Sequence, residues 1–319
     1  MHTQTQSETY ENRIVRYIDL KPCFDAFIDT RTPGSDKKEN FTIIGPGVSE
    51  NPNQFVHIAE PHGFNIGGAR QPPGCVNSQH SHDTAEVFFV HSGTWSFNLG
   101  EHGEDAKVTL RQGDLISIPT QLFRGFENIG DDIGYLWAIL GKDNPGRVLW
   151  APKVFEMAKE YGLVLMENGS LIDTLRGDKI PDGARPMPTT SIEQMALLHK
   201  FSKEDLRRCC IMSDEQAPVS NETGMMSRAL IGKTALLDWE HGFSLEHITL
   251  KPSTASQAAT QNVSDVIFVH KGILTITLDD GQTCELRSGD TMTIPRGISR
   301  SFSNNASQSV EYLRVLGEA

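Results

Sequence analysis

His80, His82 and Glu86 bring two imidazoles and one carboxylate together in the spacing H-x-H-x3-E. Side chains alternate along a strand, so positions 80 and 82 share a face and position 86 keeps their parity. Neutral imidazole suits iron, copper, nickel and zinc, and two histidines with one carboxylate and open positions form the usual site for Fe(II) oxygen chemistry. The expectation is one divalent metal per chain, with Fe(II) favoured and Zn, Mn or Ni as alternatives. Gly74 and Gly93 extend the frame to G-x5-H-x-H-x3-E-x6-G.

A second frame follows, G-x5-P-x-G-x2-H-x3-N, in which Gly113, Pro119 and Asn128 match, Gln121 stands for the glycine and Arg124 for the histidine. In both frames the chain resembles the cupin superfamily, with one ligand missing. The resemblance implies an all-β fold in which a double-stranded β-helix, or jelly roll, holds the metal inside its barrel. It also implies similarity to the ring-cleaving, two-barrel dioxygenases of that superfamily. Arg124, at the place of the absent histidine, has two readings. It bridges Glu86 as a buried ion pair, or it presents a bidentate fork to a substrate carboxylate or enolate and so acts in catalysis.

The chain repeats itself. At an offset of 179 residues His62-Gly63-Phe64 falls on His241-Gly242-Phe243, Glu86 on Asp265 and Gly93 on Gly272; at 176, Gly113-Asp114 falls on Gly289-Asp290, Arg124 on Arg300 and Asn128 on Asn304. Such repeats set the architecture, here two barrels, a bicupin. Ala259 and Gln261 replace the histidine pair in the second copy, so only the first is expected to bind metal. The second is expected to pack against the first, stabilise it or shape a dimer interface.

The elements that must position the site follow from periodicity. Trp95 and Phe97 share an inward parity after the Gly93 turn; Trp137 and Ile139 are expected to point inward and Ala138 outward. Trp95, Trp137 and Gln121 are candidate substrate contacts beside Arg124, the tryptophans packing a flat organic ligand. Arg70 reads as an exposed arginine. His91 recurs as His270 where the metal motif is lost, and His62 recurs as His241, so all four are assigned structural roles.

The predicted organisation is an N-terminal extension over 1–40, a metal-binding barrel over 41–148, a partly helical connector over 149–227 and a second barrel over 228–319. Within the connector Pro152 starts a helix that Gly162 stops. Thr190 with Glu193 and Ser202 with Asp205 have capping-box spacing, predicting short helices over 192–200 and 203–208. Residues 177–188 read as a loop.

Composition sets outer limits. A formal net charge of −12 across 319 residues disfavours nucleic acid and anionic membranes as partners. Five cysteines, odd in number and without C-x-x-C spacing, read as the reduced thiols of a cytoplasmic protein. Met1 to Arg13 lacks a hydrophobic signal core and is expected to fray. The predicted function is an Fe(II) dioxygenase acting on a small aromatic or enolic acid. The alternatives are a metal-dependent isomerase or lyase and a nonenzymatic metabolite-binding bicupin. Dimers or larger assemblies are implied by the resemblance alone.

Overall fold

The computed structural model describes residues 10–214, 220–222 and 224–318; residues 1–9, most of the segment expected to fray, lie outside the described residues. The chain divides into two units, one formed by residues 21–216 with 240–242, the other by residues up to 20 with 217–239 and 243–319. The N-terminal extension is therefore split. Strand β1 (Ile14–Val15) pairs antiparallel with residues 291–292 of the second unit, while residues 21–40 are built into the first.

In the first unit the strands are β2 (Glu39–Ile44), β3 (Val56–Ile58), β4 (Phe64–Gln71), β5 (Val76–His82), β6 (Glu86–Ser92), β7 (Thr94–Leu99), β8 (Ala106–Arg111), β9 (Leu115–Ile118), β10 (Arg124–Asn128), β11 (Gly134–Gly141) and β12 (Val148–Trp150). With β13 (Leu163–Leu165), β14 (Leu171–Asp173) and β15 (Cys210–Ile211) they make a short hairpin, β13-β14, and two sheets, ordered β15-β9-β6-β11-β4-β2-β3 and β12-β5-β10-β7-β8. The sheets meet through aromatic rings: Phe88 on β6 lies 5.3 Å from Phe97 on β7 and 5.2 Å from Phe126 on β10. This is the jelly roll the motif implied. Gly93 turns β6 into β7 at φ 89°, and a Cβ there would come within 2.7 Å of the Gly134 backbone. Only glycine fits both demands.

The second unit repeats the pattern in strands Phe243–Leu250, Asp265–Lys271, Ser299–Asn304 and Val310–Gly317. These start at or beside the positions that offsets of 179 and 176 residues assign to β4, β6, β10 and β11. Its interior holds Leu274, Ile276, Leu286, Met292 and Tyr312, all fully buried.

Helix α1 (Pro152–Glu160) starts at its proline as expected and buries Val154 and Ala158 against Ile28 and Trp150. Helices α2 (Ile192–Ala196) and α3 (Lys203–Arg208) both carry capping boxes. For α3 the pair is Ser202 with Asp205, as read from the sequence; for α2 it is Ser191 with Gln194, one residue beyond Thr190. Thr190 instead donates its hydroxyl to Trp150 O. All five cysteines are free and buried. Among the described residues no helix is long and apolar enough to cross a membrane.

Candidate metal centre

His80 and His82 end β5 and Glu86 opens β6, so one turn separates the imidazoles from the carboxylate. Antiparallel register then sets Arg124 of β10 beside His80 on one edge of β5 and Trp150 of β12 beside it on the other. All three candidate ligands are buried, and one ligand atom from each lies within 4.8 Å of the others. His82 Nε2 is 3.5 Å from Glu86 Oε2.

The imidazoles are prepared as neutral donors. His80 Nδ1 lies 2.6 Å from the Ser78 carbonyl oxygen. That oxygen can only accept, so the proton sits on Nδ1 and Nε2 keeps its lone pair. The Ser78 amide in turn donates to Asp29, which forms a buried ion pair with Lys38. A buried charge pair thus anchors the backbone that orients His80. His82 Nδ1 is buried with no hydrogen-bond partner. Burial, and secondarily the Arg124 charge, hold both histidines well below the usual imidazole range. A metal ligand must be deprotonated, so this environment favours ligation.

Arg124 is 1% exposed. Its Nη2 donates to Glu86 Oε2 at 2.5 Å and its Nη1 to the His80 carbonyl at 3.2 Å, while Nε has no partner. Burial pushes the Glu86 carboxyl up, and Arg124 opposes that shift. Of the two sequence readings, the ion pair is therefore the contact present. The donor set fits a divalent metal in identity, protonation and proximity, with Arg124 in the place of a fourth ligand.

A cavity of about 90 Å3 opens beside the three ligands. Its aromatic wall is Phe27, Phe88, Phe126 and Trp150, and its polar lining includes Asn40, Gln54 and Asn65. Trp150 stands 5.2 Å from the His80 ring, held by its Nε1 donating to Glu50 at 2.6 Å. The sequence reading placed it in the connector and missed it. The signal was present in the short Val-Leu-Trp run ahead of the Pro152 helix start.

The expected aromatic platform lies elsewhere. Trp95 faces inward but is wholly buried beneath Phe126, with its Nε1 bonded to Ser92 O. Trp137 faces away from the cavity, and the expected parity of β11 is reversed. Register pairs Glu86 with Leu140 and Phe88 with Ala138, and directly paired residues share a face. Ala138 and Leu140 consequently line the cavity beside Glu86 and Phe88, while Trp137 and Ile139 are buried on the other face. The inward reading rests on the apolar matches of Trp137 and Ile139 with Leu313 and Val315 and of Ala138 with the charged Arg314; here every residue of β11 is buried, so polarity does not mark the cavity face.

Gln121 is exposed and adopts φ 57°, a left-handed conformation that explains why the motif favours glycine there. Its carbonyl accepts from His199 N, and its side chain does not line the cavity. Arg70 pairs with Glu39 and lies over the Phe41 ring at 5.0 Å. His62 Nδ1 lies 2.6 Å from Glu60 O in a turn whose 62 and 63 amides donate to Asp143. His91 packs edge-on to Tyr135, and His241 Nε2 lies 2.6 Å from Ser117 Oγ within the first unit. None of these lines the cavity.

In the second barrel Asp265 takes the place of Glu86 and pairs with Arg300, as Glu86 does with Arg124. Ala259 lies beside Arg300 in register, as His80 lies beside Arg124. Asp265 also pairs with Arg314 at 2.8 Å, and Arg314 sits where the first barrel has Ala138. The lost histidines are thus accompanied by a second arginine on the shared acid.

The family profile described as "Cupin domain" matches residues 69–139 and 246–316, one span in each barrel. The structure is similar to that of oxalate decarboxylase from Bacillus subtilis at pH 4.6, with a TM-score of 0.58 and 13% identity, covering 99% of this chain and 78% of that one. It is also similar to AerE from Microcystis aeruginosa, with a TM-score of 0.54 and 10% identity over 97% of this chain and all of the other. At these identities the likeness is one of fold. No curated protein sequence matches the chain.

Proposed function

Because the chain is a two-domain member of the cupin superfamily, we propose that its first barrel is a metal-dependent enzyme site for a small organic acid and its second a metal-free structural partner. The observation that carries this reading is the Glu86–Arg124 pair inside the ligand set. Arg124 cancels the charge of the one carboxylate, and the two histidines are neutral, so a bound divalent cation keeps its charge uncompensated by protein. A buried uncompensated charge is strongly disfavoured, which an anionic substrate relieves. An acid therefore fits the site better than a neutral or cationic ligand.

The bound metal would polarise a carboxyl, carbonyl or enol oxygen of the acid. His80, His82 and Glu86 would hold it. Arg124 itself does not line the cavity, so its guanidinium would reach the acid's carboxylate as a planar fork only on leaving Glu86. Ligation of a metal by Glu86 would compete with its ion pair to Arg124 and so favour release of the guanidinium. The aromatic wall and Trp150 exclude water from the reacting carbon.

The reaction class placed first is lyase or isomerase chemistry without oxygen, supported by the two-barrel fold shared with a decarboxylase. Fe(II)-dependent oxygen cleavage is the second reading, supported by the two-histidine, one-carboxylate donor set. The test is a panel of small mono- and dicarboxylic acids offered to protein loaded separately with iron, manganese and zinc, following acid loss, carbon dioxide and oxygen. Acid loss without oxygen uptake is expected. Oxygen uptake matched to acid loss would move the assignment to a dioxygenase, and no turnover or binding of any acid would favour a nonenzymatic bicupin.

A further inference from the structure

Three residues of the cavity lining each carry a buried side-chain polar atom with no hydrogen-bond partner: His82 Nδ1, Asn40 Nδ2 and Gln54 Oε1. The histidine belongs to the ligand set. The two amides do not, and they come from chain outside the motif frames, Asn40 from β2 and Gln54 from the turn ahead of β3. Asn40 is 7% exposed, its backbone is fixed by reciprocal hydrogen bonds with Cys23, and its neighbour in register is Ala69. The Gln54 backbone amide donates to Asn51 O, closing its turn.

A buried polar group without a partner is costly, and a residue that serves only the fold has no reason to keep one where leucine or methionine would fill the same volume. Both residues line the same cavity as the candidate ligands. One orphaned atom is a donor and the other an acceptor, and neither amide is charged. If either amide turns end for end it still presents a donor or an acceptor, so the pair matches a neutral group that both gives and takes a hydrogen bond. A volume of about 90 Å3, roughly three waters at their liquid volume, limits the acid to a small one.

We propose that Asn40 and Gln54 form a specificity subsite that reads a hydroxyl on the organic acid, with the hydroxyl donating to Gln54 and accepting from Asn40. This rests on the reading that the first barrel takes a small acid, and it narrows the substrate class to hydroxy acids. The carboxylate is directed to the metal and Arg124, and the uncharged end of the molecule to the amides. A site built around a hydroxyl rejects the analogue lacking it because its own groups are then left unpaired.

The test uses zinc-loaded full-length protein and calorimetric binding of matched probes: benzoate with 3-hydroxybenzoate, butanoate with 3-hydroxybutanoate, and the neutral benzyl alcohol. In the unmodified protein the hydroxylated member of at least one pair is expected to bind roughly ten- to hundredfold tighter than its parent. Asn40→Leu and Gln54→Met should remove that preference and leave the parent acid's affinity within about twofold, as expected when one hydrogen bond is lost without a change in the anion contacts. Because each substitution removes an unpaired buried polar atom, both variants should also unfold at the same or a higher temperature.

Acids that bind with no hydroxyl preference, or a preference that survives both substitutions, would overturn the subsite and leave the acid reading standing. A clear fall in unfolding temperature for Asn40→Leu would also overturn it, by making the amide a fold contact. Binding of benzyl alcohol, sensitive to both substitutions, with no binding of any acid would support the subsite and overturn the acid reading. No binding of any probe would overturn both.

Discussion

Arg124 donates to Glu86 at 2.5 Å inside the first barrel, and the same acid–arginine pair recurs in the second barrel as Asp265 with Arg300. The pair persists where the histidines do not, so it has a structural role of its own. Removing one partner of a buried ion pair leaves an uncompensated charge. Arg124→Met should therefore destabilise metal-free protein by about 3–5 kcal/mol. A divalent cation should restore part of that loss, because Glu86 regains a positive partner. Chemical denaturation with and without zinc measures both effects, and a cycle with Glu86→Gln isolates the coupling.

The second barrel should respond differently. Asp265→Asn strands two arginines, Arg300 and Arg314, and should cost about 3–5 kcal/mol or more. Metal stoichiometry should remain that of the unmodified protein, because no candidate ligand is touched. Elemental analysis beside a denaturation curve checks the two halves of this outcome.

Ala138 is the small residue that keeps the first cavity open where Arg314 stands in the second barrel. Ala138→Arg should place a guanidinium near Glu86 and close that cavity. Binding of small acids should fall by roughly a hundredfold or more, the scale expected when a site is filled and its anion partner is taken. Calorimetric titration follows the loss, with far-ultraviolet circular dichroism to confirm that the barrel stays folded.

A buried carboxyl away from the ligands gives a pH signature. Glu50 accepts from Trp150 Nε1 and the Ile28 amide, and burial pushes its pKa up to about 8 from 4.5. The folded state thus holds a proton that the unfolded chain has released. Stability from this group is full below about pH 4.5 and is lost as pH rises through about 8. The loss should be on the order of a few kcal/mol. The histidines shift the other way, held below their usual range, so their contribution is present at higher pH and lost on acidification. Subtracting the Glu50→Gln stability profile from that of the unmodified protein isolates the carboxyl; equal slopes between pH 5 and 9 would contradict it.

The fold and the ligand set were legible because both are written in short spacings. The strand period carried His80, His82 and Glu86 to one face, and the repeat carried a second barrel. The wall of the site was not legible, because parity assigns a face and says nothing of depth. Trp95 is inward but lies under Phe126, and Trp137 falls on the opposite buried face because Glu86 pairs with Leu140. Trp150, Asn40 and Gln54 reach the cavity from segments outside the motif frames, through register and loop packing that depend on distant strands. The split of the N-terminal segment between units was hidden for the same reason, since β1 finds its partner more than 270 positions away along the chain.

The central claim is that the first barrel holds one divalent metal through His80, His82 and Glu86 and the second holds none. Its most direct measurement is metal content per chain in protein purified anaerobically without an affinity tag, beside His80→Ala prepared identically. The unmodified protein should carry close to one metal per chain and the variant near zero. No metal in either after reconstitution with iron, manganese or zinc, or equal metal in both, would contradict it.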